Sequence, residues 1–285
     1  MSLRNARTYK SGILLQDSDK LSLIVPLQIH LATDFNKQIR IPQKINQPIY
    51  SLLLQNVARY TFFFERNELN KPKLLLYIYF TGRNQTELLT KVKSTINNLI
   101  RFLADLKLKV KILDSKQTLQ QMLDSIPNSI NEVAPGLYQI SLEKSEAFLS
   151  VAKLFFTNDS NKGDLIYFLN DFYSHLSQGR MNLDIQKKAK KKQPDYQTAA
   201  SVTIILENEK LEEIKLAQKK LSSLLKVFSN HMSEEEKKNF WFINTSELMS
   251  NLGKIMIGQG SKYFSADHTN SLDFSAFFNL LIDNK

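Results

Sequence analysis

The sequence contains no cysteine in 285 residues, so it can form neither a disulfide framework nor a thiolate metal site. Long hydrophobic runs are also lacking, because even the stretch from Leu74 to Phe80 is too short to span a bilayer. The basic N-terminus is followed by Asp17, Asp19 and Lys20, which interrupt the continuous apolar segment of a signal peptide. We therefore expect a cytoplasmic protein whose only membrane contact is peripheral.

Recognisable catalytic motifs are lacking as well. Gly253 and Gly258 have the spacing of a phosphate-binding loop, but Gln-Gly follows them where that loop needs lysine and then serine or threonine. The four histidines are scattered, and no nucleophile elbow occurs. The neighbours Asp267 and His268 are the first residues to test if the chain is an enzyme of an unfamiliar type. We predict a chain with no catalytic residues, no metal site and no cofactor.

What the chain does contain is enough apolar sequence for a core, with 42% hydrophobic residues and 10% aromatic residues. Its formal charge of +10 is unevenly placed: residues 1–134 carry 19 basic against 10 acidic side chains, and the remainder carries 19 against 18. A basic first half indicates an acidic partner. A composition rich in lysine and asparagine can also arise without one.

Two segments of the sequence resemble each other, DSKQTLQQML and NTSELMSNLG. Each opens with a helix-capping residue, Asp114 or Asn244, and has Gln117 or Glu247 three positions later. In this pattern the first side chain accepts from a backbone N–H that lacks a helical partner. Leucines at helical spacing follow in both, so we predict two corresponding helices.

The similarity continues upstream of both segments. Each follows a short strand, and before it come a long amphipathic helix (88–106 or 211–228) and a strand that starts at Leu74 or Ser201. The full order of strand, helix, strand, strand, helix, strand is typical of the ferredoxin-like, or split βαβ, arrangement. We therefore predict an α+β fold with two tandem ferredoxin-like repeats, whose antiparallel sheets carry helices on one face.

The predicted repeats occupy residues 1–130 and 131–258, and residues 259–285 form a C-terminal tail with an amphipathic helix. The seam between the repeats is expected at residues 126–136, where Pro127, Pro135 and Gly136 favour turns over regular elements.

The strongest charge cluster is KKAKKK, which supplies Lys187, Lys188, Lys190, Lys191 and Lys192. We place it in the hairpin between the two central strands of the second repeat. There it can neutralise phosphates of a nucleic acid or of lipid headgroups, with marked salt dependence. A solvated loop tip without a ligand explains the same run.

Two aromatic groups invite comparison with base-stacking surfaces. Tyr77 and Tyr79 share one face of a predicted strand, and Phe62 and Phe64 share one face of another. The consensus of RNA-recognition modules is absent, so we expect these rings to lie in the core.

Near the C-terminus, a stripe of aromatic and leucine side chains lies on one side of a predicted helix and either closes the fold or docks a partner. Its members are Phe274, Phe277, Phe278 and Leu281.

One pattern of the sequence is carried by the segments YTFFFERN, LLLYIYFTG, NQTELLTKVKSTINNLIRFLADLKLKVKIL, SHLSQGRMNLDIQ, ASVTIILENEKLEEIKLAQKKLSSLLKVF and SADHTNSLDFSAFFNLL. In this pattern the chain resembles the non-motor N-terminal region of TraC-type conjugation and type IV secretion ATPases and their HerA-like relatives. The resemblance implies an assembly module that binds a motor or a membrane-associated complex, and it carries over no catalytic residue.

Together these observations predict a non-enzymatic protein–protein interaction module that docks to a P-loop ATPase of a secretion or DNA-translocation machine. The alternative is a nucleic-acid-binding protein that uses the basic first repeat and the lysine-rich hairpin. An enzyme with an unfamiliar site is the third hypothesis.

Overall fold

The computed structural model describes residues 6–10, 12–17, 20–31, 40–41, 49, 52, 59–66, 72–155, 179–189, 196–229, 240–248 and 264–266. We call the described residues up to 124 the first half and those from 129 onward the second half. Their strands form one sheet in which every pairing is antiparallel.

The first half contains six strands and two helices. Its strands are β1 (Arg7–Tyr9), β2 (Gly12–Asp17), β3 (Lys20–Leu31), β4 (Arg59–Arg66), β5 (Pro72–Gly82) and β6 (Leu108–Ile112). Its helices are α1 (Gln85–Asp105) and α2 (Ser115–Asp124).

The second half contains seven strands, one long helix and a helical turn over residues 245–248 among the residues described there. Its strands are β7 (Ser129–Ala134), β8 (Leu137–Ser141), β9 (Glu146–Phe155), β10 (Gly179–Ala189), β11 (Tyr196–Asn208), β12 (Phe240–Phe242) and β13 (Phe264–Ala266). Its long helix is α3 (Leu211–Ser229).

The strand order is β1-β2-β3-β5-β4-β10-β11-β9-β8-β7, with β6 beside β3, β12 beside β9 and β13 beside β11. The halves meet where β4 pairs with β10, so that Glu65 lies opposite Arg180 and Phe63 lies opposite Asn182. This junction joins strands that are far apart in the chain, and it makes the sheet continuous across the two halves.

Helix α1 shows why the sequence pattern determines these elements. Leu88, Val92, Ile96 and Leu99 recur at intervals of three and four and are all buried against the sheet. At the start of the helix, the Asn84 side chain accepts a hydrogen bond from the backbone N–H of Glu87 at 2.9 Å. The helix predicted over 88–106 is therefore confirmed, as is the helix predicted over 211–228.

The two similar capping segments have the predicted geometry. The Asp114 side chain accepts from the Gln117 backbone N–H at 2.7 Å. The Asn244 side chain accepts from the Glu247 backbone N–H at 2.9 Å. Both caps satisfy an N–H that has no partner within its helix, so the predicted helix starts at Asp114 and Asn244 are confirmed.

The chain also enters both caps in the same way. After β6, the backbone N–H of Leu113 donates to the carbonyl of Pro26 on β3 at 2.9 Å. After β12, the backbone N–H of Ile243 donates to the carbonyl of Val151 on β9 at 2.8 Å. Each helix start is thus tied to the long strand beside it in an equivalent register.

The expected seam at residues 126–136 contains a strand, but Pro127, Pro135 and Gly136 lie outside regular elements, as expected. Residues 129–134 form strand β7, which pairs with β8 and has a register shift between Glu132 and Ala134. The short link to β8 is a turn, and there Gly136 adopts a φ of 70°. A Cβ at this position would lie 2.9 Å from Cβ of Phe242, so glycine is required by both conformation and space. The prolines mark the ends of a strand here instead of the absence of one.

The sheet has apolar residues on both faces. One face packs with α1 and α3 in a single large cluster that includes Phe62, Leu76, Ile204 and Ile214. On the opposite face, a cluster of first-half residues lies under α2 and a separate cluster of second-half residues lies beside residues 243–248. The α+β class and the antiparallel sheet are confirmed, but α2 covers the face opposite α1.

Within the part of the chain that the structure describes, no helix combines the length and apolar character needed to cross a membrane. The domain limits predicted at residues 130 and 258 stay predictions.

Candidate functional site

A cleft of about 950 Å³ lies between α2 and the sheet face opposite α1. Ligand sites in proteins usually have volumes of roughly 300–1,000 Å³. We call this site the α2 cleft. Its described lining residues come from the end of β1, from β3, β4, β5, β6 and α2, and from β10.

Helix α2 forms one wall with residues spaced at three and four positions. Asp114, Gln117, Thr118, Gln121 and Met122 lie on one side of the helix and line the cleft. Thr118 and Met122 are buried, and Gln117 and Gln121 are exposed. The cap at Asp114 starts the helix at this point and so sets which side faces the sheet.

Apolar side chains give the cleft a second kind of surface. They come from β5, from the end of β6 and from α2, and they are Leu75, Ile112, Leu113 and Met122. Ile112 is 42% exposed, so it presents apolar surface to solvent at the cleft. This apolar surface can receive a hydrocarbon or ring portion of a ligand.

Charged residues on the sheet form the floor of the cleft. Arg180 on β10 lies opposite Glu65 on β4, and its Nη1 is 3.7 Å from Oε1 of Glu65. The guanidinium carbon of Arg180 also lies 5.6 Å from the centre of the Phe63 ring, a position typical of a cation–π contact. These neighbours hold a half-buried guanidinium in one place.

A second carboxyl group, that of Glu207 on β11, interacts electrostatically with Arg180. Burial is the main cause that raises the pKa of Glu207, the charge of Arg180 opposes it, and Glu65 raises it further. Burial also raises the pKa of Tyr77, with Glu65 adding to the effect and Arg180 opposing it. One guanidinium therefore lies among two carboxyl groups and a phenol.

The cleft as a whole has an excess of positive charge. Its lining includes four basic side chains, Lys10, Lys73, Lys111 and Arg180, against the two acidic side chains of Glu65 and Asp114. The three lysines are exposed. Such a distribution attracts anions to the cleft.

In the second half, an ion pair lies at two positions whose strand pairing and cap geometry match those of two residues that line the cleft. Lys153 on β9 lies opposite Trp241 on β12, just as Gln28 on β3 lies opposite Lys111 on β6. Nζ of Lys153 is 2.9 Å from Oε1 of Glu247, and the two side chains are only 1% and 18% exposed. At the corresponding positions of the first half, Gln28 and Gln117 line the α2 cleft.

Two members of the predicted lysine cluster lie in a described strand. Lys187 and Lys188 belong to β10, where they pair with Thr198 and Gln197 of β11. Lys190, Lys191 and Lys192 lie outside the described residues, so binding of nucleic acid or lipid there stays a prediction.

Two other groups of predicted residues lie outside the described part of the chain. They are Asp267 with His268, and the aromatic stripe of Phe274, Phe277, Phe278 and Leu281. Among the described residues, no group of three or more His, Asp or Glu side chains is arranged to hold a metal ion.

The aromatic residues compared with base-stacking surfaces are in the core. Phe62 and Phe64 are 1% and 0% exposed, and Tyr77 and Tyr79 are 8% and 5% exposed. The expectation that they are core residues is confirmed. Tyr77 in addition borders the α2 cleft, which strand periodicity alone did not indicate.

The sequence reasoning missed Glu65, Arg180 and Glu207. Glu65 and Glu207 each follow an apolar run within a strand, and that contrast was an available signal, whereas the strand of Arg180 is rich in polar residues and gives no such signal. The signal does not show which of these charges face one another, because their strands are distant in sequence.

No known protein family and no curated protein matches the chain. Among solved structures it is similar to CrmK, a flavoenzyme of caerulomycin biosynthesis, at 11% identity with a TM-score of 0.40. It is also similar to the oxidoreductase GilR of gilvocarcin biosynthesis, at 10% identity with a TM-score of 0.42. Each match covers 73% of this chain and 42% of the other, so the chain spans less than half of these proteins.

A third similar structure is BBE-like #28 from Arabidopsis thaliana, at 8% identity with a TM-score of 0.35. It covers 74% of this chain and 44% of the other. TM-scores this low transfer no activity, cofactor or fold to this chain.

These comparisons correct the functional prediction. The predicted non-enzymatic module that docks to a P-loop ATPase is contradicted: the similar structures include a flavoenzyme and an oxidoreductase, and none of the three is a secretion ATPase component. The prediction that the chain is not an enzyme is contradicted in the same way, and the comparisons assign the chain no activity. A search for contiguous motifs could not detect a site assembled from distant strands. The resemblance to TraC-type ATPases is untested and stays a prediction.

Proposed function

We propose that the chain binds a small organic anion with an apolar body in the α2 cleft. The observation that carries the proposal is the placement of Arg180, a half-buried guanidinium on the floor of a cleft of about 950 Å³. A guanidinium on a rigid strand offers two parallel N–H donors to an oxyanion. Strand β10 is paired on both sides, with β4 and with β11, so this donor group is well supported.

The remainder of the cleft supports the apolar part of the ligand. Leu75 on the sheet and Met122 on α2 both line the cleft. A ligand that places a chain or ring against Ile112 removes the exposed apolar surface of that side chain from water. The oxyanion at one end and the apolar contact at the other together set the orientation of the ligand.

A fold made of two tandem ferredoxin-like repeats, which remains part of this proposal, accounts for the presence of the cleft in one half. Its support is the strand order β6-β3-β5-β4 in the first half and β12-β9-β11-β10 in the second. Phe63 lies opposite Asn182 at the junction, as expected for equivalent positions beside a pseudo-twofold axis. One repeat keeps the cleft, and in the other the pair of Lys153 and Glu247 fills the equivalent position.

Titration calorimetry with the full chain tests the proposal. The probes are octanoate, as an anion with an apolar chain, flavin mononucleotide, as a bulkier anion with a ring system, and acetate, as an anion without an apolar body. We expect saturable binding of octanoate or flavin mononucleotide and no measurable binding of acetate. Absence of binding by both larger probes would overturn the proposed function.

A matched pair of variants locates the binding site. Gln121→Trp places an indole at the mouth of the cleft, whereas Gln120→Trp makes the same change on an exposed position of α2 that does not line it. We expect Gln121→Trp to weaken probe binding by about tenfold or more, the equivalent of about 1.4 kcal/mol. Gln120→Trp should bind as the unchanged chain does. Equal behaviour of the two variants would place the binding site elsewhere.

A further inference from the structure

The feature that defines the chemistry of the α2 cleft is the arrangement of charges around Arg180. We infer that Arg180 anchors the ligand and that the cleft selects a monoanionic carboxylate over a phosphate dianion. This inference rests on the proposed function and specifies the class of ligand that it requires.

The first support is the origin of Arg180. Among the described residues that line the cleft, Arg180 alone comes from the second half, and the pairing of β10 with β4 brings it there. Its guanidinium carbon lies 5.6 Å from the centre of the Phe63 ring, and that ring packs at 4.5 Å between centroids against Tyr77. A planar guanidinium supported by a ring keeps a fixed orientation, which suits a planar carboxylate.

The second support is the negative charge that already surrounds this anchor. The carboxylate of Glu65 lies 3.7 Å from the guanidinium of Arg180. A ligand with one negative charge can share the guanidinium with Glu65, because the arginine has donors on more than one edge. A ligand with two negative charges is repelled more strongly by the Glu65 carboxylate, in a setting that water screens only in part.

The lysines of the cleft do not reverse this selection. Lys10, Lys73 and Lys111 are exposed, so salt and water screen their charges strongly. We expect them to speed the approach of any anion and to contribute little to the choice between anions. The selection therefore depends on the floor of the cleft and not on its rim.

The test compares three probes with the same chain length by titration calorimetry at pH 8, where octanoate is a monoanion and octyl phosphate is a dianion. Octanamide serves as the neutral probe. We expect octanoate to bind about tenfold more tightly than octyl phosphate, and octanamide to bind more weakly than octanoate. Tighter or equal binding of octyl phosphate would overturn the inference and leave the proposed function intact.

Variants of Arg180 identify the anchor. Arg180→Gln should weaken octanoate binding by about tenfold or more, consistent with the loss of a charge-assisted hydrogen bond, and leave octanamide binding unchanged. Lys73→Gln, a matched loss of one positive charge from the lining, should change octanoate affinity by less than about threefold. An equal effect of the two variants, or no effect of Arg180→Gln, would overturn the assignment of Arg180.

A further variant keeps the inference testable if Arg180→Gln folds poorly. Glu65→Gln removes one of the two carboxyl groups beside the guanidinium but keeps the arginine. We expect it to bind octyl phosphate more tightly than the unchanged chain does and so to narrow the preference for octanoate. An unchanged preference in this variant would show that Glu65 does not select the ligand, and the inference would fail.

Discussion

Two positions with the same strand register and cap geometry carry different side chains in the two halves of the molecule. In the first half, Gln28 and Gln117 line an open cleft. In the second half, Lys153 and Glu247 form a buried ion pair at 2.9 Å. The comparison teaches that the same register and the same cap can hold either uncharged side chains beside a cleft or an ion pair.

A second difference lies close to the first. In the second half, the hydroxyl of Tyr138 on β8 donates to the carbonyl of Ile243 at 2.5 Å. In the first half, the corresponding position on β2 is Ile13, which is buried in the apolar cluster that includes Leu113. At this position the second half therefore has a side-chain hydrogen bond, whereas the first half has an apolar contact.

The largest effect is expected from breaking the ion pair of the second half. Glu247→Ala leaves the ammonium of Lys153 buried without its carboxylate, which we expect to lower the free energy of unfolding by about 3–5 kcal/mol. The matched change Gln117→Ala removes an uncharged, exposed side chain and should cost within about 0.5 kcal/mol. Urea unfolding followed by circular dichroism measures both. Similar losses for the two variants would remove the distinction between the halves.

A smaller effect is expected when the hydroxyl of Tyr138 is removed. Tyr138→Phe leaves the Ile243 carbonyl without this donor in a buried setting, at a cost of about 1–2 kcal/mol. For comparison, Ile13→Val should cost about 1 kcal/mol, through lost packing alone. Hydrogen exchange separates the two causes, because only Tyr138→Phe should increase exchange of amides in residues 240–243. No increase there would mean that the hydroxyl does not hold this segment.

We expect the two helix caps to contribute equally to the free energy of unfolding, so they test whether the two helix starts are equivalent. Asp114→Ala and Asn244→Ala each remove one acceptor from a helix start, and each should lower the free energy of unfolding by about 1 kcal/mol. Both are measured in the same urea experiment. A difference greater than about 1 kcal/mol between them would show that the two helix starts are not equivalent in energy.

The smallest effect concerns the pH dependence of stability that comes from Glu207. This residue of the second half has the strand register that Tyr79 has in the first half. Because burial raises the pKa of Glu207, the folded state favours its protonated form. The stability from this group is therefore fully present below about 4.5, the ordinary pKa of glutamate, and is lost as the pH rises through the raised value. Glu207→Gln should remove this loss, so its melting temperature should gain on the unchanged chain as the pH rises from 4 to 8. A constant difference over that range would contradict the raised pKa.

Local sequence determined the elements and the way they begin. The spacing of Leu88, Val92 and Ile96 determined the buried side of α1, because a helix brings residues three and four apart to one face. Asp114 and Asn244 marked two helix starts, since their side chains satisfy backbone groups only a few residues away. The α+β class followed from the order of such elements, all of them decided by interactions short in sequence.

Only the tertiary structure decided that β4 and β10 pair, and this pairing brings Arg180 to Glu65 and to the cleft beside α2. The partner of a strand is chosen by backbone hydrogen bonds and apolar contacts summed over the whole sheet, and the local pattern of either strand does not encode that sum. The electrostatics of the site also depend on the tertiary structure, because the fold buries Glu207 and this burial raises its pKa.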